Sequence, residues 1–134
     1  MSDMLPSATR ILVVDDDHGL LLLLTKMLAR TGVSTQTAET GSRALSMLEA
    51  EPFDLLILDL MLPDMDGYDI LRRVREDARF NHMPVLILSA KTTPEAIKRG
   101  SELGADGYLT KPYLPNTVIS RVRTLLAQGR RVES

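Results

Sequence analysis

The chain has no cysteine among its 134 residues, which excludes a disulfide scaffold and thiolate metal sites. It has no excess of charge of one sign. Sixteen basic and 18 acidic side chains leave a net charge of −2, so no basic field for nucleic acid is evident, and no direct nucleic-acid contact is expected. Long hydrophobic runs are missing as well. The longest, "LLLLL" at 20–24, is far too short to span a bilayer. The opening "MSDMLPSATR" lacks the apolar stretch of a signal peptide, so a cytoplasmic protein without membrane insertion is expected. There is no internal repeat and no low-complexity tract. What remains is ordinary for a globular protein, with 44% hydrophobic and 25% charged residues. The length fits one domain that buries roughly two-thirds of the surface its unfolded chain would expose.

Along the chain, short β-rich runs alternate with helical periodicity. Strands are expected at 10–15, 33–39, 54–59, 83–90 and 106–111, and helices at 19–32, 42–51, 67–76, 93–104 and 115–128. "DLLILD" and "MPVLILSA" are apolar without alternation, as parallel strands covered on both faces should be. Thr93 and Pro94 read as a cap and first turn, Gly104 as a stop, and Val118, Val122 and Leu125 or Leu126 as an inner stripe. Five β-α units in a row imply a doubly wound parallel α/β sheet with helices on both faces. The domain is expected over 9–128, with flexible ends at 1–8 and 129–134.

In such a sheet the functional crevice lies outside the carboxyl ends of the strands. Asp15, Asp16 and Asp17 follow the first strand, Asp59 ends the third, Ser89 stands at the end of the fourth, and Lys111 and Pro112 follow the fifth. Each alone has a plain explanation. The acids suit a helix N-terminus, Ser89 is an unexceptional strand-end hydroxyl, and Lys111 fits a turn. Asp64, Asp66 and Gly67 read as turn chemistry, and His18 and His82 have no partner at metal spacing.

The combination is harder to dismiss. Carboxylates gathered at one mouth repel by about 1–4 kcal/mol per close pair, depending on effective dielectric. A bound divalent cation turns that cost into affinity, and an oxygen-only set without histidine suits Mg²⁺. With the mouth neutralised, the Asp59 carboxylate can attack phosphorus and form an aspartyl phosphate. Lys111 supplies a positive charge, and Ser89 a hydrogen bond, for the transferred oxygens.

At this point the sequence resembles the receiver domains of bacterial two-component response regulators. The carriers are "ILVVDDDHGLL", "DLLILDLMLPDMDG", "PVLILSA" and "GADGYLTKPY", in order and at family spacing. The resemblance implies a flavodoxin-like fold with strand order 2-1-3-4-5. It implies Asp59 as phosphoacceptor, Asp16 as a direct Mg²⁺ ligand, Asp15 as a ligand mainly through water, and a backbone carbonyl ligand from Met61. It further implies Ser89 and Tyr108 as switch residues, Lys111 as the phosphate-binding lysine, and a cis peptide at Lys111-Pro112. Leu114 departs from the pattern, since many relatives place a polar cap there.

The implied function is a phosphorylation switch rather than an enzyme acting on a separate substrate. A histidine kinase or phosphotransfer protein would be the donor. The last two helices and the fifth strand would face a downstream protein or effector domain, with a phosphorylation-dependent dimer left open. Three alternatives share the fold. A flavodoxin-type cofactor binder conflicts with the acidic "DDDHG" loop, and an aspartate-nucleophile phosphatase conflicts with Met61 where a second acid is needed. A phosphorylation-independent docking module conflicts with the intact acid, serine and lysine set. No room for an effector follows residue 128, so a stand-alone receiver or the front piece of a longer protein is expected. Finally, continuing the first helix's stripe through Met27 and Leu28 places Leu20, Leu23 and Leu24 inward, leaving Leu21 and Leu22 exposed as a kinase contact.

Overall fold

The computed structural model describes residues 8–130. Five parallel strands form its centre: β1 (Arg10–Val14), β2 (Ser34–Ala38), β3 (Leu55–Asp59), β4 (Val85–Ser89) and β5 (Gly107–Thr110). Their spatial order is β2-β1-β3-β4-β5, all neighbours running parallel. The helices are α1 (His18–Ala29), α2 (Gly41–Ala50), α3 (Gly67–Glu76), α4 (Pro94–Glu102) and α5 (Pro115–Gln128), with a single 3-10 turn at Ala78–Phe80. The doubly wound sheet expected from the alternation is therefore present, in the flavodoxin-like strand order that the resemblance implied.

Successive side chains of a strand point to opposite faces, and between their polar ends the central strands are apolar because both faces are covered. Leu12, Val14, Leu56, Leu58, Val85 and Ile87 pack with residues of α2 and α3. Their strand neighbours Ile11, Val13, Leu55, Ile57, Leu86 and Leu88 pack with α1 and α5. From α5 the buried residues are Val118, Val122 and Leu125, the stripe expected. The edge strand β2 is half exposed, in keeping with its Ser-Thr-Gln-Thr sequence.

Helix ends follow their local chemistry. Thr93 caps α4 by accepting the Ala96 N–H at 3.2 Å, and Gly104 ends that turn at φ +104°, a conformation that favours glycine. Leu114 caps α5 with no side-chain hydrogen bond, as its apolar character requires. The helix α1 stops at Ala29, short of the expected residue 32, where Thr31 and Gly32 fold back on Leu28 and Ala29.

One expectation about α1 is corrected. Leu21, Leu24 and Leu28 are buried, whereas Leu22 and Leu23 are about half exposed. Leu21 belongs to the core and Leu23 to the surface, the reverse of the stripe inferred from sequence. Five consecutive leucines carry no periodicity of their own, and two stripes offset by one residue fit the run equally well. Burial from i to i+3 to i+7 settles which one faces the sheet.

Two tight features hold the frame. The Arg75 guanidinium donates to the carbonyls of Gly104, Phe80 and Met83 and to Asp106 Oδ2, each at 2.9 Å. Burial lowers its pKa to about 10. Asp106 also accepts Val85 N–H and Arg130 Nε, so α3, β4, the α4–β5 turn and the end of α5 meet on one carboxylate. Apart from residues 8, 129 and 130, the expected flexible ends lie outside the described residues.

The second feature is Gly67, at the start of α3. A Cβ there would stand 2.5 Å from Leu60 Cα and 2.6 Å from the Asp59 carbonyl oxygen. Both are backbone atoms that cannot swing aside. Gly67→Ala is expected to lower stability by roughly 1–3 kcal/mol through this overpacking, measured by urea unfolding. A variant as stable as the parent would show that the loop yields freely.

Candidate functional site

The carboxyl ends of β1, β3, β4 and β5 meet at one mouth. Val14 pairs with Leu58 in the parallel register, so Asp15 and Asp59, each one residue further along, emerge side by side. Both are buried, at 5% and 4% exposure, while Asp16 is exposed. One carboxylate oxygen from each of Asp15, Asp16 and Asp59 lies within 4.8 Å of the other two. From beyond β5 the Lys111 ammonium reaches Asp15 Oδ2 at 2.7 Å and Asp59 Oδ2 at 3.3 Å. Lys111-Pro112 is a cis peptide.

The two buried acids are also held by backbone. Asp15 Oδ1 accepts the Asp17 N–H at 2.9 Å, and Asp59 Oδ1 accepts the Met61 N–H at 3.1 Å. Asp17 itself caps α1, accepting the Leu20 N–H at 3.1 Å, the plain role considered for this acidic run. Ser89, fully buried, accepts the Lys91 N–H at 3.1 Å. The half-buried Tyr108 donates its hydroxyl to the Lys91 carbonyl at 2.8 Å. Both residues expected to form a switch thus bear on the same β4–α4 loop.

The electrostatics follow from this packing. Burial pushes the Asp59 pKa up, and the nearby charge of Asp15 adds to it, against the Met61 N–H and the Lys111 charge. Burial works against the Lys111 ammonium, yet the hydrogen bond and charge of Asp15, joined by the charge of Asp59, outweigh it and raise its pKa. Tyr113 borders the same charges and has its pKa raised by burial. An all-oxygen set of three carboxylates suits a hard divalent cation.

A family model for the response regulator receiver domain matches residues 11–123. This chain belongs to that family. Its relatives include the regulatory protein VanRc of Enterococcus gallinarum, 41% identical over 122 residues, covering 91% of this chain and 52% of VanRc. Among solved structures, a CheY-like receiver domain protein from Methanospirillum hungatei aligns with a TM-score of 0.85 at 30% identity, covering 91% of this chain and 96% of that one. The BeF3-activated receiver domain of DrrB, from Thermotoga maritima, aligns with a TM-score of 0.81 at 35% identity over 90% and 98% of the two chains. The chain spans about half the length of the curated relatives it matches. The receiver domain is a signalling domain, and no helix among its described residues is long and apolar enough to cross a membrane.

Three residues near the site had no functional role assigned from the sequence, Asp64 being read only as turn chemistry. Asp64 and Tyr113 are two. The third is Tyr68, buried under α4, whose hydroxyl donates to the Ala96 carbonyl at 2.9 Å. The cations of Lys91 and Arg99 stand 5.2 and 4.6 Å from its ring centroid. Gly100 is the one buried residue of α4, so this helix has little apolar anchorage and leans on Tyr68 instead. No sequence signal separated Tyr68 from an ordinary core aromatic.

Tyr68→Phe keeps the ring and removes the hydrogen bond. Amide exchange in the first turns of α4 should quicken by about threefold to tenfold, the equivalent of one ordinary hydrogen bond, with β3 and β4 amides unchanged. Equal α4 exchange in the two proteins would show that the bond does not hold the helix.

Proposed function

We propose that this receiver domain accepts a phosphoryl group on Asp59 from a phosphohistidine of a sensor kinase or phosphotransfer protein. The observation that carries the reading is the Lys111 ammonium between Asp15 and Asp59, with Asp16 completing an oxygen-only cluster. In this reading Mg²⁺ is held by Asp15, Asp16, Asp59 and the Met61 carbonyl, and when bound it neutralises charge on the acids and on the incoming phosphoryl oxygens. The intact set of acids, serine and lysine favours phosphoacceptance over a docking module of the same fold.

The chain's own residues do the rest. An Asp59 carboxylate oxygen forms a bond to phosphorus while the P–N bond to the donor histidine breaks, and the imidazole nitrogen keeps the electron pair. Desolvation makes Asp59 more basic than an exposed acid, which favours its attack. Lys111 loses part of its attraction to Asp59 as that carboxylate becomes an ester-like anhydride, and it turns to the phosphoryl oxygens. Ser89, at the adjacent strand end, supplies a hydroxyl to the same group.

Signalling follows from the phosphoryl charge of roughly −1.5 to −2 that replaces the single charge of the Asp59 carboxylate. Ser89 and Tyr108 both contact Lys91, so a shift of the Ser89 hydroxyl toward the phosphoryl group passes to the β4–α4 loop and to the lightly anchored α4. The output face is α4, β5 and α5, for a downstream protein or an effector domain. On the input side, the half-exposed Leu22 and Leu23 stand one turn beyond Asp17 and offer apolar contact to a donor. The reading places the chain in the cytoplasm with its kinase.

With Mg²⁺ and acetyl phosphate, intact-mass measurement should show one phosphoryl group gained by the wild-type protein and none by Asp59→Asn. An Asp59→Asn variant that still gains it at the wild-type rate would overturn the assignment.

A further inference from the structure

The β3–α3 loop, residues 60–66, carries Met61 and borders the acidic mouth. Its foot is closed locally, by the Gly67 N–H on the Leu60 carbonyl at 2.8 Å and an isolated bridge between Met61 and Asp66. Its outer part is tied across more than twenty residues of sequence. Asp64 Oδ1 accepts the Gly41 N–H at 2.7 Å, and its Oδ2 accepts the Ser42 N–H at 2.9 Å. These are first-turn amides of α2, which have no partner within the helix. Thr40 takes the next, from Arg43, at 3.1 Å. The two amides hold the Asp64 carboxyl below its usual pKa.

A separate observation shows how closely the two segments fit. A Cβ on Gly41 would overlap the Cγ and Sδ of Met65, so the loop lies directly on the first residue of α2. The β2–α2 turn is in turn joined to the loop after β1, through Asp15 N–H to the Ala38 carbonyl at 3.1 Å and His18 to Glu39 at 2.8 Å. Three loops thereby make a continuous rim around Asp15, Asp16 and Asp59. Asp64 is the link between the second and the third.

We propose that Asp64 is a positioning residue for the acidic mouth: by locking the β3–α3 loop to the N-terminus of α2 it keeps Met61 and Asp59 in place against Asp15 and Asp16. The inference rests on the reading of this mouth as a Mg²⁺ and phosphoryl site. Asp64 touches neither the cation nor the phosphorus. It acts through the backbone of the loop, and its removal should raise the Mg²⁺ requirement without removing any reacting group.

The test is a calorimetric Mg²⁺ titration of wild type, Asp64→Ala and Asp64→Asn, with acetyl phosphate labelling of each across a range of Mg²⁺ concentrations. Asp64→Ala should bind Mg²⁺ about threefold to tenfold more weakly, somewhat less than groups that bond directly to a metal's ligands contribute. Saturating Mg²⁺ should restore its labelling rate to the wild-type value. Asp64→Asn, which keeps one acceptor oxygen, should fall between the two. Amide exchange at Gly41, Ser42 and Met61 should quicken in the alanine variant while strand amides keep their protection. Wild-type Mg²⁺ affinity in both variants, or a labelling defect that saturating Mg²⁺ leaves in place, would overturn the proposal. A wild-type protein that neither binds Mg²⁺ nor gains a phosphoryl group would overturn the underlying reading together with it.

Discussion

The Lys111 ammonium, 2.7 Å from Asp15 and 3.3 Å from Asp59, joins two buried carboxylates that emerge from adjacent strands. Without it the pair would face each other in a poorly solvated mouth, at a cost of roughly 1–4 kcal/mol at effective dielectrics between those of water and the protein surface. Removing the Lys111 ammonium would be strongly destabilising because both carboxylates would be left uncompensated. One ammonium does not balance three carboxylates, however. The mouth keeps an excess of negative charge, which a hard divalent cation would relieve.

The frame exists to deliver these groups to one point. Parallel pairing in the order β2-β1-β3-β4-β5 aligns the carboxyl ends of all the strands on one side of the sheet. The register then decides which side chains meet. Val14 opposite Leu58 puts Asp15 beside Asp59, and Ser89 opposite Thr110 brings Lys111 to the same level. A slip of one residue would turn every strand side chain to the other face and separate the acids. The apolar runs of the central strands, packed on both sides, are what make such a slip costly.

Much of this could be read from the chain. The alternation of strand and helix and the gathering of Asp15, Asp16, Asp59 and Lys111 were legible because each rests on a local pattern or on a rule about parallel sheets, whereas the strand order came from the family resemblance. The stripe of α1 was not, since Leu20 to Leu24 are chemically identical and only packing distinguishes Leu21 from Leu23. Asp64 looked like turn chemistry because its partners, Gly41 and Ser42, lie far back in the sequence. The meeting of Arg75 and Arg130 on Asp106 was hidden for the same reason. Contacts made between distant segments leave no spacing to read.

The mouth holds carboxylates in a mutual repulsion that the fold tolerates and that a divalent cation would relieve. Urea unfolding of wild type and Asp59→Asn, without divalent cations, tests this most directly. A carboxyl whose pKa is raised in the folded chain costs stability once it ionises, so its contribution falls as pH rises from the unfolded value through the folded one. The neutral amide is therefore expected to be more stable than wild type by about 1 kcal/mol at neutral pH, with the difference fading once the carboxyl is protonated in both states. An Asp59→Asn protein that is less stable than wild type at neutral pH would contradict the account.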